Sequence, residues 1–267
     1  MARIGLATGA CPEAPILEML PAFALSGASG LEIGTPPRHF DVMSRDQVGA
    51  LQRALSAGGL RVVSMHAPFG GLLDLAAPSP HHRATAIDGI AAAATALRQF
   101  GGSIIVVHPS DLERHHHDVG ARLADSASSI NTLADRCRDL GVRVAVESPL
   151  PHLIGGHPHE FATILDALAP DVGVCLDTGH TTLAGHWHGF VTAAGTRLIH
   201  VHAHDNHGYA DDHLAPGDGV INWTDIRASL DAASYTGWIM IELHCPPADP
   251  RAYFKRAVDQ TRARLSR

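Results

Sequence analysis

Eight short runs of aliphatic residues recur along the chain, at intervals that leave room for a helix between one run and the next. Runs that are apolar on both faces are typical of strands buried in a parallel sheet, and the stretches between them have the spacing of amphipathic helices. Eight βα units in about 250 residues is the usual size of a TIM barrel. We therefore predict a single (β/α)8 barrel, with strands at residues 3–7, 30–34, 61–65, 103–107, 142–146, 172–176, 197–201 and 238–242.

The stretches between the strands and the first turn of the chain bear on this prediction. Residues 80–101 and 119–141 are the clearest helices, and each ends at a glycine, which suits a helix C-cap. The main alternative, an open doubly wound sheet, would need a glycine-rich first turn of the GxGxxG type, and LATGACPEAP at residues 6–15 lacks it. No linker or composition shift divides the chain, so we expect one domain over residues 1–267.

Charge and cysteine content narrow the partners and the compartment. With a formal charge of −7 and one lysine, the chain has no basic stripe for a phosphate backbone, so nucleic acid is a disfavoured partner. The apolar runs are too short for a signal peptide or a membrane span, and we expect a cytoplasmic protein without a membrane anchor. The four cysteines lie far apart in the sequence, at Cys11, Cys137, Cys175 and Cys245. Their spacing indicates neither a disulfide framework nor a CxxC motif.

Imidazoles and carboxylates close six of the eight predicted strands. One such residue alone is more often structural, for example as a helix N-cap, but in a TIM barrel all six would converge on one cavity. Carboxylates gathered there are costly unless a cation shares them. Donors that are all nitrogen or oxygen suit Zn²⁺, Mn²⁺, Co²⁺ or Fe²⁺ alike. The six residues are His66, His108, Glu147, Asp177, His202 and Glu242, and His180 follows Asp177 by three positions.

The segment after the seventh strand, residues 200–219, is dense in histidine and aspartate. Alternate residues of an extended segment point the same way, so Asp211 and His213 could close a further metal site beside His180. We interpret the histidine tract at 114–118 as a solvated face, and a solvated turn is expected for Asp205, Asp212 and His207. The next helix is expected to begin near Trp223.

Several motifs together resemble the xylose isomerase-like TIM-barrel superfamily: HAPF, VVHP, VES, LDTGH, HVHAHDN with DDHLAPGDGVINW, and IELH. The superfamily includes sugar and sugar-phosphate isomerases and epimerases as well as phosphodiesterases of the endonuclease IV type. In the isomerase branch the resemblance implies one metal ion on Glu147, Asp177, His202 and Glu242, with the two glutamates as acid and base. In the endonuclease branch it implies up to three ions, on those four residues together with His66, His108, His180, Asp211 and His213.

The sequence departs from both branches. Ketose 3-epimerases of the superfamily usually carry an arginine six residues after the strand-seven histidine, where this chain has Gly208. Repair endonucleases insert basic and aromatic side chains into DNA, and an acidic chain with 5% aromatic residues shows no such set.

We therefore expect a divalent-metal enzyme that isomerises or epimerises a small carbohydrate through an enediolate, with Glu147 and Glu242 transferring the proton. The alternative is a multinuclear phosphoesterase acting on a small substrate. A binding protein without activity is disfavoured, because binding alone does not need two carboxylates at a metal. A homo-oligomer is possible under either reading. Expected substrate contacts are His66, His180, Glu32, Arg38, Trp187 and Trp223.

Overall fold

A computed structural model describes residues 3–244 and 249–265 of the protein. Within these ranges eight parallel strands close into a barrel, in which each strand pairs with the next and the last pairs with the first. The predicted (β/α)8 architecture is therefore confirmed. The strands are β1 (Arg3–Ala7), β2 (Leu31–Ile33), β3 (Val62–His66), β4 (Ile104–Val107), β5 (Arg143–Glu147), β6 (Gly173–Asp177), β7 (Leu198–Ala203) and β8 (Trp238–Ile241).

Helices follow the strands around the outside of the barrel. None of them, over the ranges just given, is long and apolar enough to cross a membrane. They are α1 (Ile16–Leu25), α2 (Arg45–Gly58), α3 (Pro80–Gln99), α4 (Val119–Asp139), α5 (Pro158–Asp166), α6 (Thr178–Leu183), α7 (Trp187–Ala194), α8 (Trp223–Ala232) and α9 (Pro250–Leu265), and short 3₁₀ turns occupy Thr8–Ala10, Arg114–His116 and Gly195–Arg197.

The two helices predicted from the sequence form as α3 and α4, and the glycines after them stop both. Gly101 and Gly141 have φ values of 85° and 65°, in the left-handed region where a side chain would be strained. Helix α3 begins at a serine cap, since Ser79 Oγ accepts from the backbone N–H of His82. Local sequence signals thus set both ends of these helices.

Apolar side chains fill both faces of the barrel wall. The larger core lies between strands and helices, and it includes Phe23, Phe161 and Phe254, each at most 1% exposed. Two smaller clusters of strand residues, around Met240 and around Cys175, are separate from that core, as expected for side chains inside a barrel. Cys11, Cys137 and Cys175 are buried and form no disulfide among the described residues, and Cys245 lies outside them.

Candidate active site and metal centre

A cavity of about 570 Å³ opens at the carboxyl ends of the strands. One part of its wall is apolar and includes Phe69, Leu150, Leu153 and Leu243. The rest carries imidazoles and carboxylates. The imidazoles and carboxylates on it belong to Glu32, His66, His108, Asp111, Glu147, His180, Asp211, His213, Glu242 and His244, and Thr35 adds a hydroxyl.

Four of the predicted ligands form one group, which we name the carboxylate site: Glu147, Asp177, His202 and Glu242. One donor atom from each of the four lies within 4.8 Å of the others. His202 Nδ1 lies 3.0 Å from Glu147 Oε1 and 3.5 Å from Glu242 Oε2. The Asp177 side chain is fully buried, and its Oδ2 atom has no hydrogen-bond partner among the described residues. Three carboxylates and an imidazole, with one oxygen left over, fit a divalent cation.

The titration of the two glutamates follows from their neighbours. Burial raises the pKa of Glu147, but the imidazoles of His202, His108 and His66 outweigh burial and hold that pKa well below the usual range. For Glu242 burial also raises the pKa, His202 opposes the change, and the Glu147 carboxylate raises the pKa further. Positive charge on nearby imidazoles thus compensates the burial of Glu147 but not fully that of Glu242, and a cation bound there would compensate both.

Glu32 fixes the orientation of His202 through Nε2, the ring nitrogen that does not face Glu147 and Glu242. The Glu32 side chain is fully buried, and its Oε1 atom lies 2.9 Å from His202 Nε2. Its other oxygen, Oε2, pairs with His200 Nε2 at 2.9 Å. With Nε2 of His202 engaged by a carboxylate, Nδ1 is the nitrogen that faces Glu147 and Glu242. Glu32 was expected to contact the substrate, and it does line the cavity, while both of its oxygens face imidazoles, so it also supports His202.

A second group, which we name the histidine site, consists of His180, His204, Asp211 and His213, whose donor atoms also lie within 4.8 Å of one another. Asp211 Oδ2 lies 3.4 Å from His180 Nε2 and 3.1 Å from His213 Nε2. Sequence reasoning missed His204. The signal was present, since His200, His202 and His204 alternate along β7 and its end, and alternate strand residues share a face.

Local structure carries the histidine-site residues into place. Asp177 ends β6 and caps α6, because its Oδ1 accepts from the backbone N–H of His180 at 2.7 Å. This turn directs His180 into the same cavity, as predicted. The expectation of an extended segment at Asp211 and His213 is wrong at His213, whose φ is 48°. This turn of the backbone still leaves the two side chains in contact.

A third group joins His66 and His108 to Glu147. Glu147 Oε2 lies 3.1 Å from His66 Nε2 and 3.4 Å from His108 Nε2. Asp111, which sequence reasoning also missed, holds His108 from behind, with Oδ1 2.6 Å from Nδ1. Burial lowers the pKa of His108, but Asp111 and Glu147 outweigh burial and raise the pKa to about 10. Glu147 is therefore shared, with Oε1 toward His202 and Oε2 toward this pair.

Three residues expected to contact substrate do not line the cavity. Arg38 lies at the surface, where its side chain is 78% exposed and pairs with Glu13. Trp187 packs in the outer core from α7. Trp223 does begin α8, as expected, and its Nε1–H donates to Asp205 Oδ2 at 2.8 Å.

The surroundings of Asp205 show why a second expectation is wrong. Asp205 was expected in a solvated turn, yet it is fully buried and also accepts from the backbone N–H groups of Gly217 and Ile221, at 2.7 and 3.0 Å. Its carboxylate holds together the segment from 205 to 223, which includes Asp211 and His213. By contrast, the His207 side chain is half exposed, as expected for a turn, and it pairs with the partly exposed side chain of Asp212. The 114–118 tract also lies at the surface, with its first three residues in a 3₁₀ turn.

The fold and the cavity together define a (β/α)8 barrel with a polar site at the carboxyl ends of its strands. The sequence matches the xylose isomerase-like TIM barrel family over residues 21–264, and the chain belongs to that family. The resemblance seen in the motifs is thereby confirmed.

Individual relatives within the family are distant. The chain is 30% identical over 188 residues to an uncharacterised protein of Methanocaldococcus jannaschii, a match that covers 67% of this chain and 64% of that protein. It is 26% identical over 150 residues to D-psicose 3-epimerase of Agrobacterium fabrum, covering 55% of this chain and 50% of the epimerase. The chain thus spans less than two thirds of the length of either relative.

The fold itself is shared over the whole length with a solved structure. A D-tagatose 3-epimerase-like protein superposes with a TM-score of 0.83 over 97% of this chain and 96% of its own, at 23% identity. A likeness at this level of identity establishes the common barrel.

Proposed function

We propose that the protein is a divalent-metal isomerase or epimerase of a small, unphosphorylated polyhydroxy ketone or aldehyde. The observation that carries the proposal is the pair Glu147 and Glu242, which come from β5 and β8, face one cavity and meet at the carboxylate site. Moving a proton from one face of a reacting carbon to the other calls for an acid–base group on each side of that carbon, and two carboxylates can take these roles. The name of the Agrobacterium relative, a sugar epimerase, supports the same class of reaction.

The residues of the cavity divide into reacting and orienting groups. One glutamate of the pair removes the proton from the carbon beside the carbonyl, and the other returns a proton to give the isomer or epimer. Glu147, Asp177, His202 and Glu242 would hold a divalent cation, which would supply Lewis acidity toward the carbonyl and the neighbouring hydroxyl of the substrate. Glu32 keeps His202 in a fixed orientation throughout. His66 and His180, both on the cavity wall, orient substrate hydroxyls.

The lining of the cavity supports a neutral substrate. No arginine or lysine lines it within the described part of the chain, so the guanidinium and ammonium groups that most often bind a phosphate are absent from that wall. The apolar wall around Phe69, Leu150 and Leu153 suits the carbon face of a sugar and limits access of water to the reacting carbon.

Deuterium exchange tests the proposal. Protein loaded with Mn²⁺ or Co²⁺ is incubated with neutral ketoses in deuterium oxide, and NMR follows the carbon beside the carbonyl. We expect deuterium at that carbon together with an epimer or isomer, and loss of both in Glu242→Gln, whose amide cannot transfer a proton. Glu13→Gln, a surface change of the same chemistry, should behave as wild type. Absence of exchange with every ketose tried would contradict the proposal.

A second candidate, a multinuclear phosphoesterase acting on a small substrate, is favoured by one observation. The carboxylate site, the histidine site and the His66–His108 pair border one cavity and contain ten possible ligands, of which all but His204 match the endonuclease branch. Hydrolysis of bis(p-nitrophenyl) phosphate without deuterium exchange would favour this candidate. Exchange without hydrolysis would favour the epimerase.

A further inference from the structure

The lining of the cavity is poor in neutral hydrogen-bonding side chains. Among the residues that the structure describes, no serine, asparagine, glutamine, tyrosine or tryptophan lines it. The hydroxyl of Thr35 is on the wall, but it donates its proton to the backbone carbonyl of His66 at 3.1 Å. The uncharged groups that commonly bind sugar hydroxyls are therefore scarce on this wall.

The charged side chains of the lining are largely engaged with one another. Asp111 Oδ1 lies 2.6 Å from His108 Nδ1, and Asp211 Oδ2 lies between the imidazoles of His180 and His213. These groups belong to the candidate metal centre or support it, so they serve the reacting end of a substrate. Hydroxyls at the far end would be buried without partners, which is costly.

Apolar side chains form the outer part of the cavity wall. The candidate ligand Glu147 closes its strand, whereas Phe69 and Leu150 lie three residues beyond the ends of β3 and β5, and Leu153 lies six beyond β5. In a TIM barrel such loop positions lie above the strand ends. None of these three apolar residues belongs to the core clusters of the described chain. Their apolar surface faces the cavity instead of the core, which indicates an apolar occupant.

Phe69 is held as an exposed aromatic surface at this wall. The residue is 56% exposed, and its ring centroid lies 4.5 Å from that of His108 and 5.0 Å from that of His66. The next residue, Gly70, has a φ of 81°, and its N–H donates to Asp111 Oδ2 at 3.0 Å. These contacts fix the chain beside the ring. An exposed aromatic ring fixed in this way is suited to pack against a ring or an alkyl chain of a ligand.

We infer that the substrate is a keto or aldehydo sugar that carries an aryl or alkyl substituent at the end remote from the reacting carbon. The inference rests on the proposed function and names the substrate class of the same site. The sugar end meets Glu147 and Glu242, while the substituent packs against Phe69, Leu150 and Leu153. The cavity of about 570 Å³ lies within the range of about 300–1,000 Å³ that holds drug-sized ligands, so both parts have room. An apolar substituent also brings no hydroxyl that would need a partner.

Paired ligands test the inference on the full-length protein. D-fructose and D-tagatose are each compared with their benzyl ether at the primary hydroxyl farthest from the carbonyl. Isothermal titration calorimetry with Mn²⁺-loaded protein gives the dissociation constants. We expect each benzyl ether to bind about 10–100-fold more tightly than its parent sugar, the ratio that corresponds to burial of a side chain of phenylalanine size.

Phe69→Ala and Leu72→Ala form a matched pair of variants. The two side chains are 56% and 58% exposed and lie in the same segment between β3 and α3, but Phe69 lines the cavity and Leu72 does not. Phe69→Ala should reduce the preference for the benzyl ethers about fivefold, while Leu72→Ala should retain the wild-type preference. Leu150→Asn, which places an amide in the apolar wall, should also reduce the preference and tighten binding of the parent sugars.

Equal affinities for the ethers and their parents would overturn the inference, and so would a preference that Phe69→Ala leaves unchanged. Binding of none of the four sugars would overturn it as well. Deuterium exchange at the carbon beside the carbonyl is recorded in separate samples. Exchange without a preference for the ethers contradicts the substituent alone. A preference without exchange contradicts the proposed epimerase reaction and leaves the ligand class of the cavity in place.

Discussion

The carboxylate site and the histidine site share one cavity but are built differently. The carboxylate site has three carboxylates and one imidazole, and all four residues lie on strands β5, β6 and β7 or directly after β8. The histidine site reverses that ratio, with one carboxylate and three imidazoles, and takes its residues from α6, the end of β7 and the segment that follows. The strand-built site has the charge to hold a cation and carboxylates to move a proton, whereas the loop-built site has Asp211 as its one carboxylate and otherwise offers imidazole donors.

The largest difference between the two sites should appear in turnover. Glu147→Gln removes a ligand of the carboxylate site and one of the two proton-transfer groups, so we expect kcat to fall by about 10²–10⁴-fold. His213→Ala, a change confined to the histidine site, should cost much less. Steady-state kinetics of both variants under saturating Mn²⁺ measures the contrast. Equal losses in the two variants would mean that the sites act as one catalytic unit.

A substitution that lowers stability should affect the histidine site more than the carboxylate site. Asp205→Ala leaves four donors without an acceptor, three of them buried, in the segment that carries Asp211 and His213. We expect the free energy of unfolding in urea to fall by about 3 kcal/mol. Cobalt should bind more weakly at the histidine site, while binding at the carboxylate site stays within about twofold. Equal weakening at both sites would show that the 205–223 segment supports the whole cavity.

Affinity at the carboxylate site should depend on Glu32, a residue that supports His202 without belonging to the ligand group. Glu32→Gln weakens the orientation of His202, and outer-shell changes of this kind cost about 10–100-fold in metal affinity. Activity at limiting Mn²⁺ should fall accordingly and recover at high Mn²⁺, with an unchanged histidine site. Failure of excess metal to restore kcat would place Glu32 in direct contact with the reaction.

The smallest effect is expected at Arg38. Its exposed pair with Glu13 lies away from both sites, so Arg38→Ala should leave KM and metal content unchanged. The Tm of the variant should lie within about 2 °C of the wild-type value. A rise in KM would revive the expectation that Arg38 contacts substrate. The variant also gives the background scatter against which the other differences are judged.

Most of the barrel and much of the carboxylate site were predictable because the relevant signals are local. A short apolar run marks a strand, and the residue that closes it lies at the rim by topology alone, as for Glu147 and Asp177. His204 could have been found by continuing the alternation from His202, but the sequence prediction stopped at the strand end.

The contacts that sequence reasoning missed or misplaced involve partners that only the folded structure identifies. Glu32 reads as a rim carboxylate until His200, 168 positions away, is seen beside it. Asp205 reads as a turn residue because three of its four donors come from positions 217 to 223, and only folding brings them to its carboxylate. Asp111 reads as an ordinary loop aspartate unless the side chain of His108 is known to point back at it.

The long span between Glu32 and His200 also bears on how the chain acquires its native state. Contacts between residues far apart in sequence form late, because closing a long loop costs conformational entropy that other contacts must first offset. Glu32 on β2 meets His200 and His202 on β7 only across the interior of the closed barrel. We therefore expect His202 to gain its final orientation in the last stage of folding, so that tight binding of a cation at the carboxylate site reports completion of the barrel.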